Sequence, residues 1–171
     1  INYLAGSAWT WEHMALTRAR AISGPDRLRD RVQAGITGIL LTDRSAGKIL
    51  ADVHHMRERI AGEHRGQSIW DIKHHRGGLV DIEFIAQGLQ LIHAAAAPTV
   101  LSPTSATALE HLAREGYLDN ADAKVLLSAL RLWQGLQSII RLIGPERLED
   151  GSPPAGQINA LCRAAGSDTF V

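Results

Sequence analysis

Apolar residues recur along the chain at spacings of three and four, and stretches in which apolar and polar residues alternate are short. This spacing is typical of amphipathic helices, because one helical turn takes about 3.6 residues. The pattern predicts helical segments at about 11–22, 25–40, 49–60, 79–97, 103–115, 121–143 and 157–165. Gly35 and Gly38 in the second segment allow close backbone approach, so we expect that helix to pack tightly. The expected fold is all-α, a bundle of about six to seven helices.

Residues 67–80 interrupt the helical pattern. The pair Gly77-Gly78 disfavours a helix, so we expect a short irregular or extended segment of the form Lys73-x-x-x-Gly-Gly. The helix that starts at about Leu79 is apolar on most of its sides. Such a helix belongs at the centre of a bundle, since most of its sides do not suit water.

Proline and glycine cluster at residues 151–156 and predict a linker. The expected organisation is therefore a helical domain over residues 1–150, followed by a linker and a short C-terminal helix over residues 151–171. The chain starts at Ile1, without a Met and without a basic or apolar leader. We expect it to be a piece of a longer protein.

The charge balance argues against several classes of partner. Lys and Arg together number 18, as do Asp and Glu, which gives a formal net charge of zero. Without an excess of positive charge we expect no nucleic acid partner and no attraction to an anionic membrane. The apolar runs are far shorter than the roughly 18 residues of a membrane span. Cys162 is the only cysteine and has no partner within the chain, so we expect a reducing compartment, the cytoplasm.

Two arrangements of side chains bear on metal binding. Asp81 and Glu83 stand two residues apart, but on a helix they point about 200° away from each other and cannot easily hold one ion. His54 and Glu58 have helical i, i+4 spacing, yet no third ligand follows at a predictable distance. We therefore expect neither a metal site nor a catalytic residue in this chain.

Gly77 and Gly78 open the buried helix, where backbone N–H groups and the helix dipole favour an anion. Lys73 and Arg76 could supply positive side chains to a phosphate there. The same residues fit a structural role equally well, in which the glycines make a turn and Asp81 complements the helix dipole. The residues alone leave both interpretations open.

Three stretches in a fixed order carry a resemblance to a known family. They are Trp-Thr-Trp-Glu-His at 9–13 continuing through Ala15-Leu16 to Arg18-Ala19-Arg20, Val-x-x-Met-Arg-Glu-Arg at 53–59, and the run from Lys73 to Gln87. Together they closely resemble the glutamine synthetase adenylyltransferases. The resemblance implies the helical domain that follows a nucleotidyltransferase domain, and it is greater for the C-terminal, adenylylating half of the family.

The resemblance also implies an activity for the intact enzyme: transfer of AMP from ATP, with Mg²⁺, to a tyrosine of glutamine synthetase. The family's catalytic G-S-x-x-D-x-D pattern is absent, since Gly6-Ser7 and the other Gly-Ser pairs lack the aspartates. We thus expect this chain to be inactive alone, to hold no cofactor tightly, and to wall the nucleotide and substrate cleft. By resemblance, the residues expected to face that cleft or hold its loop are Lys73, Arg76, Gly77, Gly78, Asp81, Glu83, Arg18 and Arg20.

The resemblance implies partners as well. They are the catalytic domain in cis and glutamine synthetase, with a PII-type signalling protein as a further candidate. Two alternatives stay open at this point. One is a helical bundle for protein interaction or regulation that touches no nucleotide. The other is the corresponding domain of a uridylyltransferase acting on a nitrogen-signalling protein, against which residues 9–13 argue.

Overall fold

The computed structural model describes residues 2–64, 68–144, 146, 148 and 154–167. Within these residues the chain forms eight α-helices and no strand, which confirms the all-α prediction. The helices are α1 (Asn2–Gly6), α2 (Thr10–Leu16), α3 (Asp26–Leu40), α4 (Ala46–Glu63), α5 (Leu79–His93), α6 (Ser105–Arg114), α7 (Asn120–Ile143) and α8 (Ala155–Ala165), with a 3-10 turn at Pro98–Val100. Among the described helices, none has both the length and the apolar character needed to cross a bilayer.

Helix α5 is the central element, as its apolar sequence predicts. It contacts α2, α4, α6 and α7. Ile82 and Ala86 pack on one side against α6 and α7, while Leu91 packs on the other side among residues of α2, α3 and α4. The buried Gln90 finds polar partners, since its Oε1 accepts from the N–H of Ser102 at 2.8 Å and its Nε2 donates to a carbonyl of α5 at 3.2 Å. Burial of that amide therefore leaves neither of its ends unpaired.

Helix α8 packs against α7. Leu161 of α8 is buried in a cluster with Ile140 and Ile143 of α7 and with Ile72, which precedes α5. The C-terminal helix thus shares a core with the central part of the bundle. The predicted domain boundary at residue 150 and the first part of the predicted linker, residues 151–153, lie outside the described residues.

Helix α2 is shorter than the apolar spacing predicts, ending at Leu16 rather than near residue 22. The backbone tightens there: the N–H of Thr17 is shared between two carbonyls, and its buried hydroxyl donates to the carbonyl of Met14 at 2.7 Å. The next N–H groups continue with i→i−3 bonds, a common way for a helix to end. Ile22, which the periodicity assigned to the helix, is 78% exposed.

The prediction that the helix now labelled α3 packs tightly is wrong. A side-chain atom added at Gly38 would meet nothing within 4 Å, so no neighbouring backbone approaches this glycine. Leu28 and Val32 of the same helix are exposed, and burial is confined to Ile39 and Leu40 at its C-terminal end. The apolar stripe of α3 is therefore only partly covered by the described residues.

The core predicts a contrast between two leucines of α7. Leu130 is 1% exposed within the cluster formed by α5, α6 and α7, whereas Leu142 is 83% exposed. Leu130→Ala should lower the free energy of unfolding by about 3 kcal/mol through lost burial and the cavity left behind. Leu142→Ala should change it by less than about 0.5 kcal/mol. Urea unfolding followed by circular dichroism measures both, and equal losses would contradict this packing.

Candidate functional site

The segment between α4 and α5 folds back over the start of α5. We call residues 71–78 the diglycine corner. Its turn is held by the carbonyl of Asp71, which accepts from the N–H groups of His74 and His75 at 3.1 and 3.3 Å. It is tied to α5 because the N–H groups of Leu79 and Val80 donate to carbonyls within the corner, at 3.3 and 3.1 Å. The irregular segment is thus a hydrogen-bonded unit with a defined shape.

Each of the two glycines is required for a different reason. Gly77 has φ +75°, a left-handed conformation that residues with a Cβ rarely adopt. Gly78 has an ordinary φ, but a Cβ there would lie 2.5 Å from the carbonyl oxygen of Ile72 and 2.8 Å from that of His75. The chain closes on itself at this point too tightly for any side chain. The pair therefore shapes the corner, as the structural interpretation holds.

The backbone N–H groups at the start of α5 already have partners. The N–H of Gly77 donates to Oδ2 of Asp81 at 2.6 Å, and that of Gly78 to the carbonyl of His75 at 2.9 Å. The N–H groups of residues 79–82 donate to carbonyls of residues 72, 73 and 78. In this conformation the N–H groups at the start of α5 are therefore not free to bind a phosphate.

The buried side chain of Arg57 of α4 holds the corner in place. Its side chain is 7% exposed, its Nε donates to Oδ1 of Asp81, and its Nη2 donates to Oδ2 of the same carboxylate at 3.3 Å. Nη2 also donates to the carbonyl of His74 at 2.9 Å. One buried guanidinium therefore fixes both the first turn of α5 and the middle of the corner.

Two further ion pairs join the sequence motifs. Arg76 pairs with Glu58 of α4, and this hydrogen bond lowers the pKa of the Glu58 carboxyl. Arg18, which follows α2, donates from Nη1 to Oε1 of Glu83 at 2.9 Å. The three stretches that are far apart in sequence are thus brought together through α4 and α5.

The predicted site residues differ in their partners and in their exposure. Asp81 and Glu83 lie on α5 and each binds its own arginine, so the pair does not converge on one point, as helical geometry predicts. Lys73 is exposed at the corner. Arg20 is exposed beyond α2 and forms no ion pair with any residue the structure describes. Gly77 also accepts, at its carbonyl, a hydrogen bond of 2.9 Å from Nε1 of Trp133 of α7.

A second polar and aromatic surface lies along α2. Trp9 is 71% exposed and Trp11 is 49% exposed. They lie beside a cleft of about 240 Å³ between α2 and α4, and Trp11 also borders one of about 360 Å³ that reaches α5. Thr10 donates to the carboxylate of Asp52 on α4, which also binds Lys48. The hydrogen bond from Lys48, followed by that from Thr10, lowers the pKa of Asp52. We call this surface the tryptophan face.

The sequence analysis did not single out Arg57 from the charged residues at 57–59. A signal was present: Arg57 stands four residues after Val53 and eight after Ile49, in the middle of an apolar stripe. A charged residue at such a position must be buried with a partner. Trp133 carried no comparable signal, since its role depends on where α7 crosses the corner.

The tight closure at Gly78 predicts a strong effect of one methyl group. Gly78→Ala should lower the free energy of unfolding by about 2–3 kcal/mol, because two carbonyl oxygens would have to move. The matched control is Gly38→Ala, in open space within α3, which should be neutral or stabilising by up to about 1 kcal/mol. Urea unfolding of both variants tests the contrast, and a Gly78→Ala protein as stable as the parent would contradict the geometry.

The buried ion pair predicts a contrast between two arginines of α4. Arg57→Ala leaves Asp81 without its main partner and should cost about 3 kcal/mol. Arg59→Ala removes an arginine whose side chain is 63% exposed and should cost less than about 0.5 kcal/mol. Thermal unfolding at neutral pH measures both changes. A loss for Arg57→Ala no larger than that for Arg59→Ala would show that the pair does not hold the corner.

Comparison with known proteins bears out the resemblance seen in the motifs. The family described as GlnD PII-uridylyltransferase matches residues 48–166. A bifunctional glutamine synthetase adenylyltransferase/adenylyl-removing enzyme of Rhodopseudomonas palustris is 43% identical over 98% of this chain. Enzymes of the same name from a Bradyrhizobium species and from Xanthobacter autotrophicus are 41% and 39% identical over 99% and 96% of the chain.

The chain spans only 17% of the length of each of these relatives. It therefore corresponds to one segment of a much longer enzyme. The matched family region contains α5, the diglycine corner and α7. The chain belongs to the GlnD PII-uridylyltransferase family and, along almost its whole length, is similar to a segment of the bifunctional glutamine synthetase adenylyltransferase/adenylyl-removing enzymes.

Proposed function

We propose that this chain is the helical domain of an enzyme that transfers AMP from ATP to a tyrosine of glutamine synthetase, and that it forms one wall of the nucleotide and substrate cleft. The observation that carries the proposal is the match over 98% of the chain to enzymes named for that transfer. We further propose that it belongs to the adenylylating half, and the likeness of residues 9–13 and of the corner supports this assignment.

The reacting groups are supplied by another domain. Nucleotidyl transfer needs carboxylates that hold divalent metal ions around the phosphates. The chain lacks the paired aspartates of the G-S-x-x-D-x-D pattern, and Asp81 and Glu83 are each bound to an arginine. In the proposed enzyme, ATP and Mg²⁺ are therefore held mainly by the catalytic domain, which acts in cis.

The diglycine corner supplies positive charge to the cleft. Lys73 and Arg76 are both exposed on a segment whose backbone is fixed by Arg57. A fixed backbone favours binding, because little conformational entropy remains to be lost when a phosphate is bound. Of the two cations, Arg76 is shared with Glu58, so Lys73 is the freer to contact a phosphate.

The tryptophan face is the surface on which we place the catalytic domain. Large exposed aromatic side chains beside clefts are typical of surfaces that another protein surface covers. Trp9 and Trp11 occupy such a position near the start of the chain. We propose that the catalytic domain packs on this face, which leaves the corner at the edge of the shared cleft.

The proposed location of the enzyme is the cytoplasm, where glutamine synthetase is its substrate and a PII-type signalling protein is a candidate regulator.

The test uses the intact parent enzyme with Lys73 and Arg76 both replaced by Ala. If these cations contact ATP, the KM for ATP should rise at least about tenfold, which corresponds to roughly one charge-assisted hydrogen bond. The assay is AMP transfer to glutamine synthetase in the presence of Mg²⁺. The isolated chain, tested in the same assay, should transfer no AMP.

The matched control replaces Lys124 and Arg131, two exposed cations of α7, by Ala. Arg131 points about 200° around the helix from Trp133, which contacts the corner, so this pair should leave the KM for ATP unchanged.

Appreciable AMP transfer by the isolated chain would contradict the proposal that the reacting groups belong to another domain. Unchanged ATP dependence with weaker binding of glutamine synthetase or of a PII-type protein would support the second candidate function, a regulatory interaction bundle, which the exposed tryptophans favour.

A further inference from the structure

Three potential metal ligands meet where α4 ends and the diglycine corner begins. His74 places Nδ1 at 2.9 Å from both carboxylate oxygens of Asp71, and His64 places Nδ1 at 3.5 Å from Oδ2 of the same carboxylate. One ligand atom from each residue lies within 4.8 Å of the others. We propose that His64, Asp71 and His74 form a binding site for Zn²⁺.

The distances suit this metal. Zinc binds imidazole nitrogen and carboxylate oxygen at about 2.0–2.2 Å, usually in tetrahedral geometry. Ligand atoms around such an ion are separated by about 3.3–3.5 Å. The separations of Asp71 from the two histidine nitrogens, 2.9 and 3.5 Å, lie close to that value. The rings of His64 and His74 are nearly parallel, so one imidazole must turn for both nitrogens to point at one ion.

His64 gives an independent reason to expect a ligand. Its Nδ1 is shielded from solvent and, although it lies 3.5 Å from Oδ2 of Asp71, it forms no hydrogen bond with any described residue. A buried polar atom without a partner is costly, and a bound cation would satisfy it. The ring of His64 stacks on that of His74 with centroids 3.7 Å apart and an interplanar angle of 23°. Both imidazoles thus lie beside the same carboxylate.

The backbone holds the ligands in place before any metal arrives. Asp71 and His74 belong to one turn, closed by the N–H of His74 donating to the carbonyl of Asp71. The carbonyl of His74 is fixed in turn by the buried Arg57 at 2.9 Å. Support of this kind raises affinity because less freedom is lost on binding.

A zinc ion here would connect the end of α4 to the residue next to Lys73. Three protein ligands leave the fourth tetrahedral position open to water or another ligand. The ion would cross-link residues 64 and 74, closing the short stretch of chain between them. The site does not depend on the proposed function, since it rests on the arrangement of these three side chains alone.

Metal binding can be tested on the 171-residue chain after treatment with a chelator. Titration with Zn²⁺ at pH 7.5, followed by calorimetry, should show one tight site per chain. Asp71→Asn and His74→Ala should each weaken binding at least tenfold. His55→Ala, which removes an exposed histidine of α4, is the matched control and should leave the affinity unchanged.

A second measurement covers the case in which a variant fails to fold. Co²⁺ added to the unaltered chain should give the intense visible absorption of a tetrahedral ion, and one equivalent of Zn²⁺ should abolish it. Absence of a stoichiometric site, or an affinity that His55→Ala lowers as much as His74→Ala does, would overturn the proposal. So would a weak octahedral-type Co²⁺ spectrum.

Discussion

A buried guanidinium needs an anion, and Arg57 of α4 has one in Asp81 of α5. The carboxylate also accepts from the N–H of Gly77, while the guanidinium reaches the carbonyl of His74. Two helices and the segment between them are thus fixed by one pair of charges. The exposed groups of the corner are positioned by this pair together with the backbone hydrogen bonds of the turn, because the corner has no helix or strand of its own to define its shape.

The glycines and the ion pair work together. Gly78 lets the chain close on three of its own carbonyl oxygens, and Gly77 takes up the left-handed conformation that completes the turn. The closure places Lys73 and Arg76 outward and Arg57 inward. The same closure brings Asp71 and His74 onto one turn near His64, so the positive surface and the proposed zinc site have a common structural origin.

Most helices could be located from the spacing of apolar residues. Helices α4 to α8 lie close to their predicted positions, because each carries an apolar stripe that other elements bury. The end of α2 could not be located in this way, since Thr17 and the residues after it continue the helical spacing while their backbone turns away. The prediction that α3 packs tightly was wrong for a related reason: glycine permits close approach of another backbone but does not require one.

The sequence by itself determined the all-α class, the central place of α5 and the family, because these depend on local periodicity and on the order of short motifs. It also indicated that Asp81 and Glu83 would point apart, which follows from helical geometry. Only the tertiary structure decided which arginine binds which carboxylate and that Trp9 and Trp11 are exposed. Such pairings join residues distant in the chain, and their choice depends on how the helices cross rather than on the spacing within any one of them.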